Sequence, residues 1–167
     1  NTGTVTINNA VGETATKVTI DNQAGSAQAL AALAFSGIST IELNSTGQVG
    51  GSNAIANITN ADNSAITVKG SLDFSLVGLD ATTTGSKVDA SAFTGKFTVV
   101  GSAKNDVIIG GAGNDSIQAA AGSTVGQADT LTGGAGADTF KIVATTDPVT
   151  TTVHYLTVQP KESESEP

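Results

Sequence analysis

The sequence has no cysteine, methionine, tryptophan or arginine among its 167 residues, and only one tyrosine and five phenylalanines. Without cysteine there are no disulfides, no thiolate catalysis and no cysteine-based zinc site. An extracellular chain without disulfides needs another staple, and a metal is one candidate. With so few large side chains a thick core is hard to build, whereas a thin core of stacked Ala, Val, Ile and Leu suits coiled β architectures. Cations are scarce: seven lysines stand against fifteen carboxylates, for a net charge of −8. That balance argues against nucleic acid as a partner, because phosphate contacts need clustered Lys and Arg. It also disfavours an anionic membrane surface and favours divalent cations. No apolar run reaches the length of a membrane-spanning helix, so no membrane insertion is expected. The opening residues show neither Met nor a basic leader, as in a fragment or a processed product.

Gly, Thr, Ser, Asn and Ala make up most of the remainder. Thr and Val favour pleated strands, and Gly and Asn favour tight turns. Period-two alternation appears at Thr4–Ile7, Lys17–Ile20, Ser39–Leu43, Ala65–Val68 and Leu72–Leu76, as a half-buried strand requires. Lys87–Ala90, Lys96–Val100 and Asp106–Ile109 continue it. Strand centres at Ile58, Val68, Leu76, Val88, Val99, Ile108 and Ile117 lie eight to twelve residues apart, with Leu131 and Phe140 following. That rhythm predicts an all-β solenoid, sandwich or barrel. One segment stands apart: residues 26–34 are rich in Ala and Leu, with Ser26 as an N-cap and Gly37 as a stop. They predict a short helix, the alternative being a buried strand and turn within the same coil. After Asp147-Pro148 one more strand is expected over Thr150–Val158, and the Glu/Ser-rich residues 160–167 read as a solvated acidic tail.

Two segments match the nonapeptide Gly-Gly-x-Gly-x-Asp-x-U-x, in which U is a large apolar residue. In the first, Gly110, Gly111 and Gly113 precede Asp115 and Ile117; in the second, Gly133, Gly134 and Gly136 precede Asp138 and Phe140. Degenerate copies keep Gly101, Asp106 and Ile108 in one case, and Asp129 and Leu131 in the other. The chemistry needs these residue types. Calcium is a hard ion that takes six to eight oxygen ligands. Glycine lets the backbone turn so that carbonyls face inward, Asp adds a charged oxygen, and x-U-x forms a short strand with U in the core. With two nonapeptides per coil, Asp106 is expected beside Asp129 on one edge and Asp115 beside Asp138 on the other. A five-residue insertion within Ala119–Gln127 would then loop out. A phosphate-binding loop is excluded because no Gly-Lys-Ser/Thr follows the glycines, and neither segment completes a dinucleotide fingerprint.

At these residues the chain resembles RTX proteins, whose glycine-rich nonapeptides bind calcium and which bacteria export by type I secretion. The lead-in Asp89-Ala90-Ser91-Ala92, followed by Thr98-Val99-Val100-Gly101-Ser102, is similar to that of RTX-type surface-layer (S-layer) proteins. The resemblance implies an elongated parallel β-roll or β-helix. Residues 1–100 would form an irregular β-helix or a sandwich-like region, 101–147 the RTX roll, 148–159 a terminal strand and 160–167 the tail. It implies Ca2+ as cofactor, held by Asp106, Asp115, Asp129 and Asp138 with the six glycines shaping the turns, and folding outside the cell after export in a low-calcium state.

The expected role is therefore a secreted structural subunit of a bacterial surface layer or extracellular filament, self-associating at the cell surface. The alternative is a calcium-folding binding module or adhesin segment of a larger exported protein, with cell-surface polysaccharide as a partner. Catalysis is not expected: there is no His-Glu-x-x-His and no Gly-x-Ser-x-Gly. His154 has no evident partner, and no spacing among the remaining carboxylates picks out a pair for glycoside hydrolysis.

Overall fold

A computed structural model describes residues 4–8, 14–23, 25–36, 38–59, 61–81, 83–119, 129–141 and 155–157. The chain winds as a parallel β-solenoid. The strands β1 (Thr4–Asn8), β2 (Ala15–Asn22) and β3 (Ala27–Leu30) form the first coil. The next is β4 (Ala32–Ser36), β5 (Thr40–Gly47) and β6 (Ser52–Ile55), followed by β7 (Ile58–Thr59), β8 (Ala65–Gly70) and β9 (Phe74–Leu76). The last three-strand coil is β10 (Leu79–Asp80), β11 (Lys87–Asp89) and β12 (Phe97–Val100). Two-strand coils follow: β13 (Val107–Ile109) with β14 (Ser116–Gln118), then β15 (Thr130–Thr132) with β16 (Thr139–Lys141); β17 (Tyr155–Thr157) pairs with β15.

Three sheets result, in the orders β1-β4-β7-β10, β2-β5-β8-β11-β13-β15-β17 and β3-β6-β9-β12-β14-β16. The first ends at β10, so the solenoid passes from a three-sided β-helix to a two-sided roll between β12 and β13. Every described strand pairing is parallel, which antiparallel sandwich hairpins would not give.

Alternation explains the strands. In β5, Ile41, Leu43 and Ser45 are buried while Thr40, Glu42, Asn44 and Thr46 face outward. Register then stacks like on like. Ile41, Ile66, Val88, Ile108 and Leu131 form one inward column, and Ile55, Leu76, Val99, Ile117 and Phe140 form the facing one. Thus the large apolar residues of the nonapeptides do enter the roll's core, as two facing columns, Ile108 with Leu131 and Ile117 with Phe140. Phenylalanine thickens the core where the three-sided section ends. The rings of Phe74 and Phe97 are stacked at 6.0 Å, and Phe93 meets Phe97 edge-on at 6.1 Å. Outside, Glu42 bridges the coils by pairing with Lys17 at 2.9 Å and Lys69 at 2.7 Å.

The helix expected over residues 26–34 is not formed; that stretch is β3, a corner at Ala31 and β4. Helix propensity is a weak prior that tertiary pairing overrides. Here β3 pairs with β6 and β4 with β1 and β7, and Leu33 and Phe35 enter the core. The small alanines suit the tight corner, and the Ser26 carbonyl, far from opening a helix, accepts the Asn22 side-chain amide. Of the expected strand Thr150–Val158, only Tyr155–Thr157 lies within the described residues; the acidic tail and the loop at 120–127 lie outside them.

Phe97→Ala is expected to destabilise the chain by about 3–5 kcal/mol, and Thr98→Ala, on the outward side of the same strand, by less than about 0.5 kcal/mol. Denaturant melts would read both, and equal losses would contradict the inward–outward assignment.

Candidate metal centre

Each of the four motif aspartates immediately precedes a strand of the roll, at a corner between coils. The ladder places Asp106 beside Asp129 and Asp115 beside Asp138, at opposite edges. The Asp106 amide donates to Asp129 Oδ1 at 2.9 Å, and the Asp115 amide donates to Asp138 Oδ1 at 2.9 Å. The same bond links each pair to the coil before it: Ser86 N–H donates to Asp106 Oδ1 at 2.7 Å, and Phe97 N–H donates to Asp115 Oδ1 at 2.8 Å. The second oxygen of each buried aspartate takes an N–H from its own turn, Ser102 for Asp106 and Gly111 for Asp115. Asp106 and Asp115 are 1% exposed, so each is an oriented carboxylate cut off from bulk water.

The glycines act in two ways. Gly134 and Gly136 adopt positive φ, +95° and +105°, which a side chain resists. Gly110, Gly111 and Gly113 do not; there the constraint is close approach between coils. A Cβ on Gly111 would strike the Phe93 carbonyl, one on Gly113 the Gly95 carbonyl, and one on Gly110 the Gly133 carbonyl. A Cβ on Gly133 would strike its own Asp138 carboxylate. The glycines therefore crowd carbonyl oxygens into the space that also holds the carboxylates.

Burial governs the electrostatics. It pushes Asp106 up against the lowering effect of the N–H donors of Ser86 and Ser102 and the Ser102 hydroxyl. Burial also raises Asp115 and Asp129, and each is raised further by a facing charge, that of Asp138 and of Asp106 respectively. An arrangement that raises carboxylate pKa values is one that a cation would relieve. The donor set consists of oxygen alone, acidic and paired across coils, and therefore suits a hard divalent ion. No group of three or more acidic or His side chains occurs among the described residues, so turn carbonyls must complete any such shell. Asp115 and Asp138 on one edge, and Asp106 and Asp129 on the other, would hold the ion. When bound it neutralises facing carboxylates and ties neighbouring coils together.

Residues 98–125 and 126–141 match the family model of the RTX calcium-binding nonapeptide repeat, described as four copies. The match spans about a quarter of the chain, covering β12 to β16. No curated protein and no solved structure matches the chain. The C-terminal coils are thus a calcium-binding β-roll: repeats of this kind bind calcium, and this segment holds them on a parallel solenoid.

Sequence reasoning missed the neutral continuation of the two columns. Beside Asp106 in the register stand Ser86, Ser64 and Ser39, successive heads of the same sheet's strands. Beside Asp115 stand Phe97, Phe74 and Asn53. The available signal was a serine directly before each alternating segment, in Ser39-Thr40-Ile41, Ser64-Ala65-Ile66 and Ser86-Lys87-Val88, where the roll has Asp-x-U.

Two outcomes are expected. In calcium, Asp115→Ala should lower the melting temperature more than Asp62→Ala, whose carboxylate caps the amides of Thr83 and Thr84 on an exposed turn; equal losses in paired melts would count against the site. The second concerns pH. A carboxylate whose folded pKa is raised adds stability that is present below its ordinary pKa and lost as pH climbs through the raised value. In metal-free buffer the roll should therefore hold more folded structure in weak acid than at neutral pH. Asp89, held down by the Ser91 hydroxyl and amide, and Glu42, held down by Lys69 and Lys17, oppose this only below the ordinary carboxylate range. Calcium requires ionised carboxylates, so the increment it adds should grow from about pH 4.5 to 7.5 in melts with and without it.

Proposed function

We propose that the chain is a calcium-folded structural solenoid of an exported bacterial protein, acting outside the cell as part of a surface layer or extracellular filament. The observation that carries this reading is the pair of aspartate columns at both edges of one continuous parallel stack. Such columns bind the ion between coils, so the ion's affinity becomes stiffness and fold rather than chemistry. The low calcium of a cell interior and the higher calcium outside would then separate an export-competent chain from a folded one, in keeping with the type I export typical of RTX-repeat proteins. Self-association fits a parallel stack, because exposed strand edges can pair with those of a neighbouring copy. On this reading the molecule has no catalytic role.

A second reading, a binding module or adhesin segment, is favoured by one surface. The outward row Ala54, Ser75, Thr98, Ser116 and Thr139 runs in register along one sheet. A shallow groove beside it is lined by Ser52, Asp73 and Lys96. The four hydroxyls of Ser75, Thr98, Ser116 and Thr139, flanked by one acid and one base, suit a neutral polysaccharide.

Sedimentation and far-UV circular dichroism across a calcium titration, with EGTA reversal, separate the readings. The structural role predicts a calcium-dependent gain of β signal together with growth into large assemblies. A gain of β signal in a persistent monomer would favour the binding module, and indifference to calcium and EGTA would remove both.

A further inference from the structure

The two register columns change character at one point along the solenoid. On one edge Ser39, Ser64 and Ser86 give way to Asp106 and Asp129; on the other Asn53, Phe74 and Phe97 give way to Asp115 and Asp138. Before the change, several corners are closed by neutral side chains, and the carboxylates of Asp62 and Asp73 are exposed caps on backbone amides. Ser86 donates its hydroxyl to the Ala61 carbonyl. Ser45 donates to the Leu72 carbonyl at 2.8 Å, and the Asn53 amide reaches Ile20 O at 2.9 Å, Ser45 Oγ at 3.0 Å and Thr46 O at 3.1 Å. Asn22 likewise ties the turns of two coils, donating to the carbonyls of Ser26 and Ser52. None of these contacts needs an ion. The fully buried phenylalanines among the described residues lie on the same side of the change: Phe35, Phe74, Phe93 and Phe97, packed with Leu33, Leu43 and Leu76. Beyond it the fully buried aliphatics are Ile108, Ile117 and Leu131, with Phe140 half-covered.

The turn at the boundary is intermediate. Ser102 stands where the complete nonapeptides have their second glycine. Its hydroxyl lies 3.0 and 2.9 Å from the two oxygens of Asp106 and accepts the Lys104 amide at 3.2 Å. Asp106 is thus held by protein donors on both oxygens before any ion arrives. The β10–β12 coil also presents the roll with finished edges. β11 and β12 pair in register with β13 and β14, and the Ala112 amide donates to the Phe93 carbonyl at 2.9 Å.

We propose that the three-sided β-helix through β12 folds without calcium and serves as the template on which the calcium-dependent coils β13–β16 are laid, one at a time, from its open edge. The proposal rests on the calcium reading above and adds a division and a direction to it. In a solenoid each coil contacts only its neighbours, so stability is a sum of coil and interface terms. A preformed neighbour removes the nucleation cost that a thin, charged coil cannot meet alone. Calcium then acts on the distal coils only, and the N-terminal helix sets how much calcium they need.

Hydrogen–deuterium exchange on the full chain, first in EGTA and then with calcium chloride, tests this. In EGTA, amides of β5, β8 and β12 should exchange at least about 100-fold more slowly than in the unfolded chain, while those of β13 to β16 exchange within about tenfold of the unfolded rate. Calcium should then slow the second group alone. A joint opening of both groups in EGTA, with joint recovery in calcium, would overturn the division while leaving calcium binding intact. An absence of any calcium response would overturn the calcium reading and this proposal with it. Direction is read with Val68→Ala, a buried position in β8, which β11 separates from β13 in the sheet. The calcium concentration that half-protects β13 to β16 should rise several-fold. An unchanged midpoint would mean that the roll folds by itself, as would persistent calcium-induced protection in a variant whose helix had opened.

Discussion

Parallel register between coils is the constraint on which the rest of the structure depends. Each strand finds its hydrogen-bond partners in the coils on either side, so a residue's neighbours lie about one coil of sequence away, whatever happens in the turns. Register converts a modest sequence habit into columns. The coil-to-coil step varies, from Lys87 to Val107 and then from Val107 to Thr130, yet the inward residue stays inward because turns absorb the difference. The same register aligns the aspartates. Asp115 meets Asp138, and Asp106 meets Asp129, because the residue after each is locked into its ladder. The metal site is thus a by-product of strand pairing.

Much of this could be read from the residues. The strand rhythm, the inward placing of Ile108, Ile117, Leu131 and Phe140, and the facing of the aspartates follow from period-two alternation and the nonapeptide spacing. What sequence did not disclose has physical causes. The Ala/Leu stretch at 26–34 carries helix propensity, but pairing with two neighbouring coils outweighs it. The third sheet was not foreseen as a sheet of its own: β1 and the Ile58 centre of β7 were legible as strands, but β7 and β10 are only two residues long, too short to show a coil's third side. The serine column escaped notice because serine before a strand has many local explanations, and only three-dimensional register shows that it occupies the aspartates' place. The glycines of the first repeat do not take unusual backbone angles; they are required because carbonyls of the coils on either side come too close, which no single-chain pattern reveals.

Charge is distributed with the same economy. Where a carboxylate lies outside, as at Glu42 between Lys17 and Lys69, it is paired and exposed, and its contribution is small. Where carboxylates are buried they face each other across coils, raised by burial, and the chain's N–H groups can only partly compensate. Acidity is therefore a general background in the first part of the chain and a specific requirement for a counter-ion in the last. A chain without cysteine obtains in this way a staple that is reversible and set by the surrounding medium.

The two-sided and three-sided sections also differ in how they would bear tension. Hydrogen bonds in a solenoid run along its axis, so a pull from end to end loads them rung by rung. Rungs backed by the Phe74–Phe97 stack carry a wide cross-section of packed side chains, whereas those backed only by Ile117 and Leu131 rely on the ions at their corners. On the division proposed above, a fall in calcium would soften the two-sided section while the three-sided one kept its shape, giving a stiff shaft with a chemically adjustable joint.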